Sequence, residues 1–278
     1  MEERDGFART YGVELLCVER PKIWKPRLLA SLRQRCPGVA PLDSKDNSEI
    51  LSFIHKDHPV QLADGQIPAQ TFIAQTDKKP TAGQYKSALE QSWNFPEARD
   101  TVERCTAAVL VTDLMSSALP YKERLDLFQR ALLAVLEVVP CEAIHWQPTQ
   151  QIVSPAAFHD ASQLSGSALF FAGAVNVRLF NITGSDNEVV MDTLGLGALG
   201  LPDLQCHFRN LEPSDVARVL YNAAWYVFEA GDVIEDGHTL QGTTPSSKWR
   251  CRHEDALVAP ARVVVDINPG PEHTAGGR

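Results

Sequence analysis

The order of elements in this sequence predicts an α+β fold: a mixed, mostly antiparallel sheet, or two such sheets, flanked by helices. Three observations carry that expectation. Strand-like and helix-like segments alternate irregularly, two hairpin signals join neighbouring strands, and no strand–helix–strand series repeats as a doubly wound parallel sheet would require. The 278 residues leave room for one large domain or two lobes, each able to bury a core.

Gly12 to Glu19 (GVELLCVE) is a short apolar run of strand formers, and Pro26 to Arg35 places leucines at 28, 29 and 32 with proline near its start, a helical spacing. Cys36-Pro37-Gly38 stops it. Glu49 to Ile54 and Pro68 to Gln75 read as an antiparallel pair joined by a loop containing Asp64-Gly65. Gln84 to Trp93 reads as a helix, and Pro96 opens or breaks the next one. Thr106 to Thr112 (TAAVLVT) is apolar on both faces and belongs in the middle of a sheet. From Pro120 to Val139 a helix carries Leu125, Phe128, Leu132, Val135 and Leu136 in one stripe. Cys141 to Trp146 is another strand. Residues 147–165 form a polar connector with a short helix near 155–161, and the lobe boundary is expected there.

Beyond the connector, Ala174 to Ile182 alternates, with Val175, Val177 and Leu179 on one face and Asn176, Arg178 and Phe180 on the other. Gly184-Ser185-Asp186-Asn187 is a turn signal, and Glu188 to Leu194 returns as the second arm of a hairpin. A glycine-punctuated turn leads to a strand from Asp203 to Phe208. Pro213 to Ala230 is a strong helix with Gly231 just past its end. Gly231 to Gly242 is an acidic loop, and Lys248 to Asp255 and Ala261 to Asn268 close the fold as strands. The expected lobes are therefore 11–150 and 165–270, with residues 1–10 and 271–278 as mobile tails.

Composition narrows the function classes. The chain is 44% hydrophobic and 22% charged, ordinary for a soluble protein, and its net charge is -9. Such acidity excludes a general nucleic-acid binder, which needs a basic face to displace counterions. It suits a protein partner with a basic surface. Met1-Glu2-Glu3-Arg4-Asp5 is charged with no apolar run behind it, unlike a secretory signal. No apolar window approaches the roughly 20 residues that span a bilayer, so no membrane partner is expected. The six cysteines, at 17, 36, 105, 141, 206 and 251, form no CxxC pair and read as reduced thiols of a cytoplasmic protein.

Chemistry concentrates in Val189 to Phe208, VVMDTLGLGALGLPDLQCHF. Gly195 to Gly200 spells GxGxxG, but a dinucleotide site needs a helix to open after those glycines, and Leu201-Pro202-Asp203 leads into a strand instead. No cofactor is expected. Metal ligands would have to come from Cys206-His207, His253-Glu254-Asp255 or His55 with His58, none of which has the usual paired spacing, so no metal is expected either. There is no GxSxG, and Cys141 with His145 stands too far apart along a strand to serve as nucleophile and base. Alternation does place Asp203, Gln205 and His207 on one face, with Leu204 and Cys206 opposite. Asp192, Asp203, His207 and Glu254 are the candidates for acid–base catalysis. Asp203, Gln205 and His207, with Asp232, Glu235 and Asp236 of the acidic loop, are the candidates for binding. Trp93, Trp146, Trp225 and Trp249 are expected in the core, and Trp24 is expected to pack.

Several phrases carry a resemblance: Gln91-Ser92-Trp93, CEAIHWQPTQQIV from Cys141, NVRLF from Asn176, MDTLGLGALGLPDLQCHF from Met191 and EDALVAPARVVVDINPG from Glu254. In these the chain resembles a bacterial family known as domain of unknown function 4261, from about Tyr11 to Gly270. The resemblance supplies no catalytic residues. It implies the setting of immunity and accessory proteins of toxin-delivery systems, including type VI secretion. The expected function is thus a soluble factor that neutralises a secreted toxin, such as a nuclease, by occlusion. Self-association stays open. The alternative is an enzyme of unknown reaction with its polar site around Asp203 and His207.

Overall fold

The structure, a computed structural model, describes residues 7–42, 50–63, 65–76, 78–185 and 187–276. Expectations that involve residues 1–6, Glu49, Asp64, Asp186 and residues 277–278 lie outside the described residues. The chain divides into two compact units, Ala8–Ala174 and Val175–Arg278, the second joined by Phe7.

The first unit runs β1 (Gly12–Cys17), α1 (Lys25–Arg35), β2 (Val39–Pro41), β3 (Ile50–Leu62), β4 (Gly65–Thr76), α2 (Lys86–Glu90), α3 (Ala98–Arg104), β5 (Ala107–Leu114), α4 (Tyr121–Leu136), β6 (Ala143–Trp146), β7 (Gln151–Val153) and α5 (Pro155–Ser162). A π-helical turn, Phe170–Ala174, ends it. Its strands form one sheet in the order β2-β3-β4-β5-β1-β6-β7, with every neighbour antiparallel. The apolar run at 107–114 takes the central place, as a strand apolar on both faces must. One face packs Leu16, Ala108 and Ala143 with Ala88, Ala98 and Val102 of α2 and α3. α4 lies against β5 and α1. Tyr11, Phe128 and Trp146 meet edge to face with centroids 5.2–6.1 Å apart. The buried Arg124 of α4 fastens to Asp113 of β5 at 2.6 Å.

Four expectations need correction in this unit. The segment read as a loop between two strands is itself strand: β3 and β4 pair from Ile50↔Ala74 to Leu62↔Gly65, with an irregularity between His55 and Pro59. The polar run His55-Lys56-Asp57-His58-Pro59 hides the strand because most of this ribbon is partly solvated. The helix expected from 84 to 93 shrinks to α2. Trp93, expected in the core, is 58% exposed, and Trp24 is 60% exposed, whereas Trp146 and Trp249 are buried.

The second unit runs β8 (Asn176–Asn181), β9 (Glu188–Leu194), a 3-10 turn (Gly197–Leu199), β10 (Asp203–Arg209), α6 (Pro213–Ala230), β11 (Thr239–Gln241), β12 (Lys248–Asp255) and β13 (Val263–Asn268). The sheet order is β11-β12-β13-β10-β9-β8. Only β10 and β13 are parallel; the other neighbours are antiparallel. The fold is thus α+β with mostly antiparallel sheets. α6 buries Val216, Val219, Leu220, Ala223, Val227 and Phe228, a period-3.6 stripe, and crosses β8, β9 and β10. Removing each of these larger side chains from water contributes about 1.5–3 kcal/mol. Residues 271–276, expected as a tail, run alongside β10. There the Arg209 amide donates to the His273 carbonyl at 2.8 Å and Ala275 is buried, because the chain folds back along β10.

Candidate functional site

Pairing register brings Asp203 and Gln205 of β10, two of the three residues expected on one polar face, beside residues of β8 and β9. Gln205 of β10 stands opposite Asp192 of β9, and Asp192 stands opposite Arg178 of β8. Residues two apart share a face, so Arg178, Asp192, Asp203 and Gln205 form one polar floor. The segment between β12 and β13, residues 256–262, closes over it.

Two arginines neutralise the floor. Arg178 grips Asp192 with both arms, Nε to Oδ1 at 2.9 Å and Nη2 to Oδ2 at 2.5 Å. Arg262 donates from Nη2 to Asp192 Oδ2 at 2.7 Å and from Nε to Asp203 Oδ2 at 3.1 Å. Arg262 also donates to the carbonyls of Thr193 and Pro260, and Arg178 to that of Ala259, so both cations fasten the covering segment down. Asp203 takes three further donors: the Thr193 hydroxyl at 3.0 Å, the Leu196 amide at 3.1 Å and the Gly197 amide at 3.3 Å. The Thr193 hydroxyl accepts from the Leu204 amide, which leaves its own proton for Asp203. A carboxylate has about four lone-pair sites, and those of Asp203 are all occupied.

This explains the glycine-rich turn. Asp203 caps the start of the 3-10 turn from the next strand, and Gly200, at φ 83°, closes it in a left-handed conformation that glycine adopts at no steric cost. The amides that would face a pyrophosphate in a dinucleotide site face Asp203 instead. Complete burial pushes the Asp203 carboxyl above the usual carboxylate range, while Arg262 and the hydroxyl and amide donors oppose that rise.

Of the remaining candidates, Glu254 joins the floor's edge and the others have different partners. Gln205 Nε2 donates to Glu254 Oε1 at 2.8 Å, and Gln205 Oε1 accepts from the Leu257 amide at 2.8 Å, so Glu254 belongs to the edge of the same floor. His207, further along β10, approaches Glu188 at 3.4 Å. Asp232, Glu235 and Asp236 lie on the loop after α6, away from the floor's ion pairs. Asp236 accepts from the His253 amide at 2.7 Å and from its ring, which hold its carboxyl below the ordinary range. Glu235 is 83% exposed at its side chain. Beside this loop, Tyr226, Val233, Ile234 and Leu240 line an open cleft of about 460 Å³. It adjoins a second of about 260 Å³ between α6 and β11.

Sequence reasoning missed Arg178 and Arg262, which decide what the floor can do. Arg178 was within reach: a hairpin folded about 185 places 178 opposite 192. Arg262 lies 59 and 70 residues from its partners, and no local signal points to it. His145, weighed with Cys141, instead places Nδ1 at 3.0 Å from Glu14. All six cysteines are unbridged, and burial pushes Cys17 up to about 12 and Cys36, Cys105 and Cys251 to about 11. Thiols held this high carry little thiolate at neutral pH. Among the described residues no group of three or more His, Cys, Asp or Glu could hold a metal ion, and no helix is long and apolar enough to cross a membrane.

No curated protein matches the chain, and no solved structure does. One family model matches, over residues 192–268, which run from the end of β9 through β13 and take in Asp192, Asp203, Gln205 and Arg262 of the floor, but not Arg178, together with α6 and the acidic loop. Over those residues the chain is similar to the family described as Domain of unknown function (DUF4261).

Proposed function

We propose that this chain is a cytoplasmic binding protein that docks an acidic surface on a partner protein with a basic surface and acts by covering it. The setting that suits this reading is immunity to, or an accessory role for, a secreted toxin of the type VI kind, with a nuclease as the model partner. The observation that carries it is a contrast in acid placement. Asp192 and Asp203 are spent inside the fold, while Asp232, Glu235 and Asp236 stand on a loop beside an apolar cleft. The net charge of -9 adds long-range attraction toward a basic partner.

The enzyme reading around Asp203 and His207 draws less support. A general base needs a lone pair that can reach substrate, and those of Asp203 are filled by four internal donors. The reading expects a toxin gene beside this one, and the test is co-expression of the chain with that toxin. Wild-type chain is expected to rescue growth, and Asp232→Asn/Glu235→Gln to lose rescue while folding normally. Full rescue by the neutralised variant removes the acidic-dock reading.

A further inference from the structure

The turn that joins β12 to β13 has a composition that hairpin turns avoid. The Ala256 amide donates to the Arg262 carbonyl at 2.8 Å and closes the turn just beyond the Asp255↔Val263 pair. Turns usually draw on glycine, proline, asparagine, aspartate and serine. This one reads Ala256-Leu257-Val258-Ala259-Pro260-Ala261, without one polar side chain. Leu257 is 37% exposed, and Ala259, Pro260 and Ala261 are exposed beside it. Single apolar residues on a surface need no explanation, but a contiguous run does.

The buried floor holds this turn in one shape. From beneath, Arg178 donates to the Ala259 carbonyl at 3.0 Å, and Arg262 donates to the carbonyls of Pro260 at 2.8 Å and Val258 at 3.4 Å. Gln205 accepts from the Leu257 amide at 2.8 Å. Each of these side chains is buried and fixed in turn: Arg178 by Asp192, Arg262 by Asp192 and Asp203, and Gln205 by Glu254. Three successive carbonyls are thus engaged from within, and what the turn offers outside is apolar side chain. A segment ordered before it binds loses little entropy on binding.

We infer that the turn 256–261 is a preformed apolar anchor that seats in an apolar pocket of the partner protein, held in shape by the arginine–aspartate floor beneath it. This rests on the docking reading above and supplies its apolar centre. The neighbouring charges select the partner. Asp255, exposed, adjoins the turn, and the amide of His253, two residues earlier, donates to Asp236 of the acidic loop at 2.7 Å. An apolar centre with a charged rim is the ordinary anatomy of an interface, so the rim of the partner's pocket is basic. The same acids disfavour a lipid surface, whose anionic headgroups repel them. A second copy docked turn to turn across a two-fold axis would set like charges against each other.

The test uses the full chain. Before binding, hydrogen exchange at the Ala256 and Leu257 amides is expected to run about tenfold or more slower than in an unstructured peptide. Exchange at the peptide rate overturns the preformed anchor. Leu257→Asn, neutral and close in size, is expected to keep the urea midpoint, to weaken binding to the toxin of the co-expression test at least about tenfold and to lose rescue. Leu257→Met is expected to keep both. Ala261→Arg repeats the test at a second exposed position should Leu257→Asn shift the midpoint, with the same loss expected. Unchanged affinity in the folded variant overturns the anchor, and if Asp232→Asn/Glu235→Gln still loses rescue, the docking reading stands without it. A wild-type chain that neither binds nor rescues removes both. Self-association of the wild type that Leu257→Asn abolishes assigns the turn to a second copy and overturns the partner's pocket.

Discussion

The second unit holds two acidic groups that differ in everything but chemistry. On the polar floor, Asp192 and Asp203 are fully buried, and Arg178 and Arg262 balance their charge. On the loop after α6, Asp232, Glu235 and Asp236 face solvent, with Glu235 beside His238 at 3.6 Å and Asp236 beside His253 at 2.9 Å. Buried charge is tolerated only when paired and fully hydrogen-bonded. Pairing that complete leaves nothing to offer a substrate. The same residue type is thus scaffold in one place and available surface in the other, and the difference is the state of its acceptors.

That contrast can be broken at its strongest joint. Arg262→Ala leaves two buried carboxylates short of a cation and also frees the covering segment. The expected loss is about 3–5 kcal/mol in a urea unfolding curve. An unchanged midpoint would mean the floor is not a scaffold.

Acid offers a second perturbation, seated in the first unit. Burial lowers the His55 pKa from 6.5 to about 4, with His58 and Arg130 adding to it. The unfolded chain therefore binds a proton that the folded chain refuses between those values. Stability is full above about pH 6.5 and falls as pH drops toward 4, by on the order of 3 kcal/mol. His55→Leu should flatten this slope in pH-dependent unfolding. A slope that survives the substitution assigns the acid sensitivity elsewhere.

Smaller changes sharpen the comparison. Thr193→Val keeps shape but removes a donor to Asp203 and an acceptor for the Leu204 amide, and should cost about 1–3 kcal/mol. Asp232→Asn/Glu235→Gln should shift stability by no more than about 0.5 kcal/mol, while partner affinity falls by about tenfold or more in a titration. Stability loss from the loop pair, or none from Thr193, reverses the assignment of the two regions.

Much of the frame was legible. α6 announced itself through Pro213, its valine and leucine stripe and Gly231; β5 through an apolar run on both faces; β8 and β9 through alternation about a turn. The shared face of Asp203 and Gln205 followed from the period of two. What stayed hidden was non-local. The β3–β4 ribbon carries a polar run that resembles a loop, and its length is set by pairing across the sheet rather than by local pattern. Trp93 looked like core by residue type, yet lies 58% exposed after a helix that ends at Glu90. For the site, the glycines and aspartates were visible but not what satisfies them. Arg262 reaches Asp203 across 59 residues, and only the folded sheet brings them together.

The most direct measurement pairs two readouts on Asp203→Asn: unfolding free energy in urea, and partner binding under conditions where the variant is folded. A scaffold role requires a loss of about 3 kcal/mol or more with binding affinity unchanged. Wild-type stability with binding or activity lost would contradict it, and would return Asp203 to the functional surface.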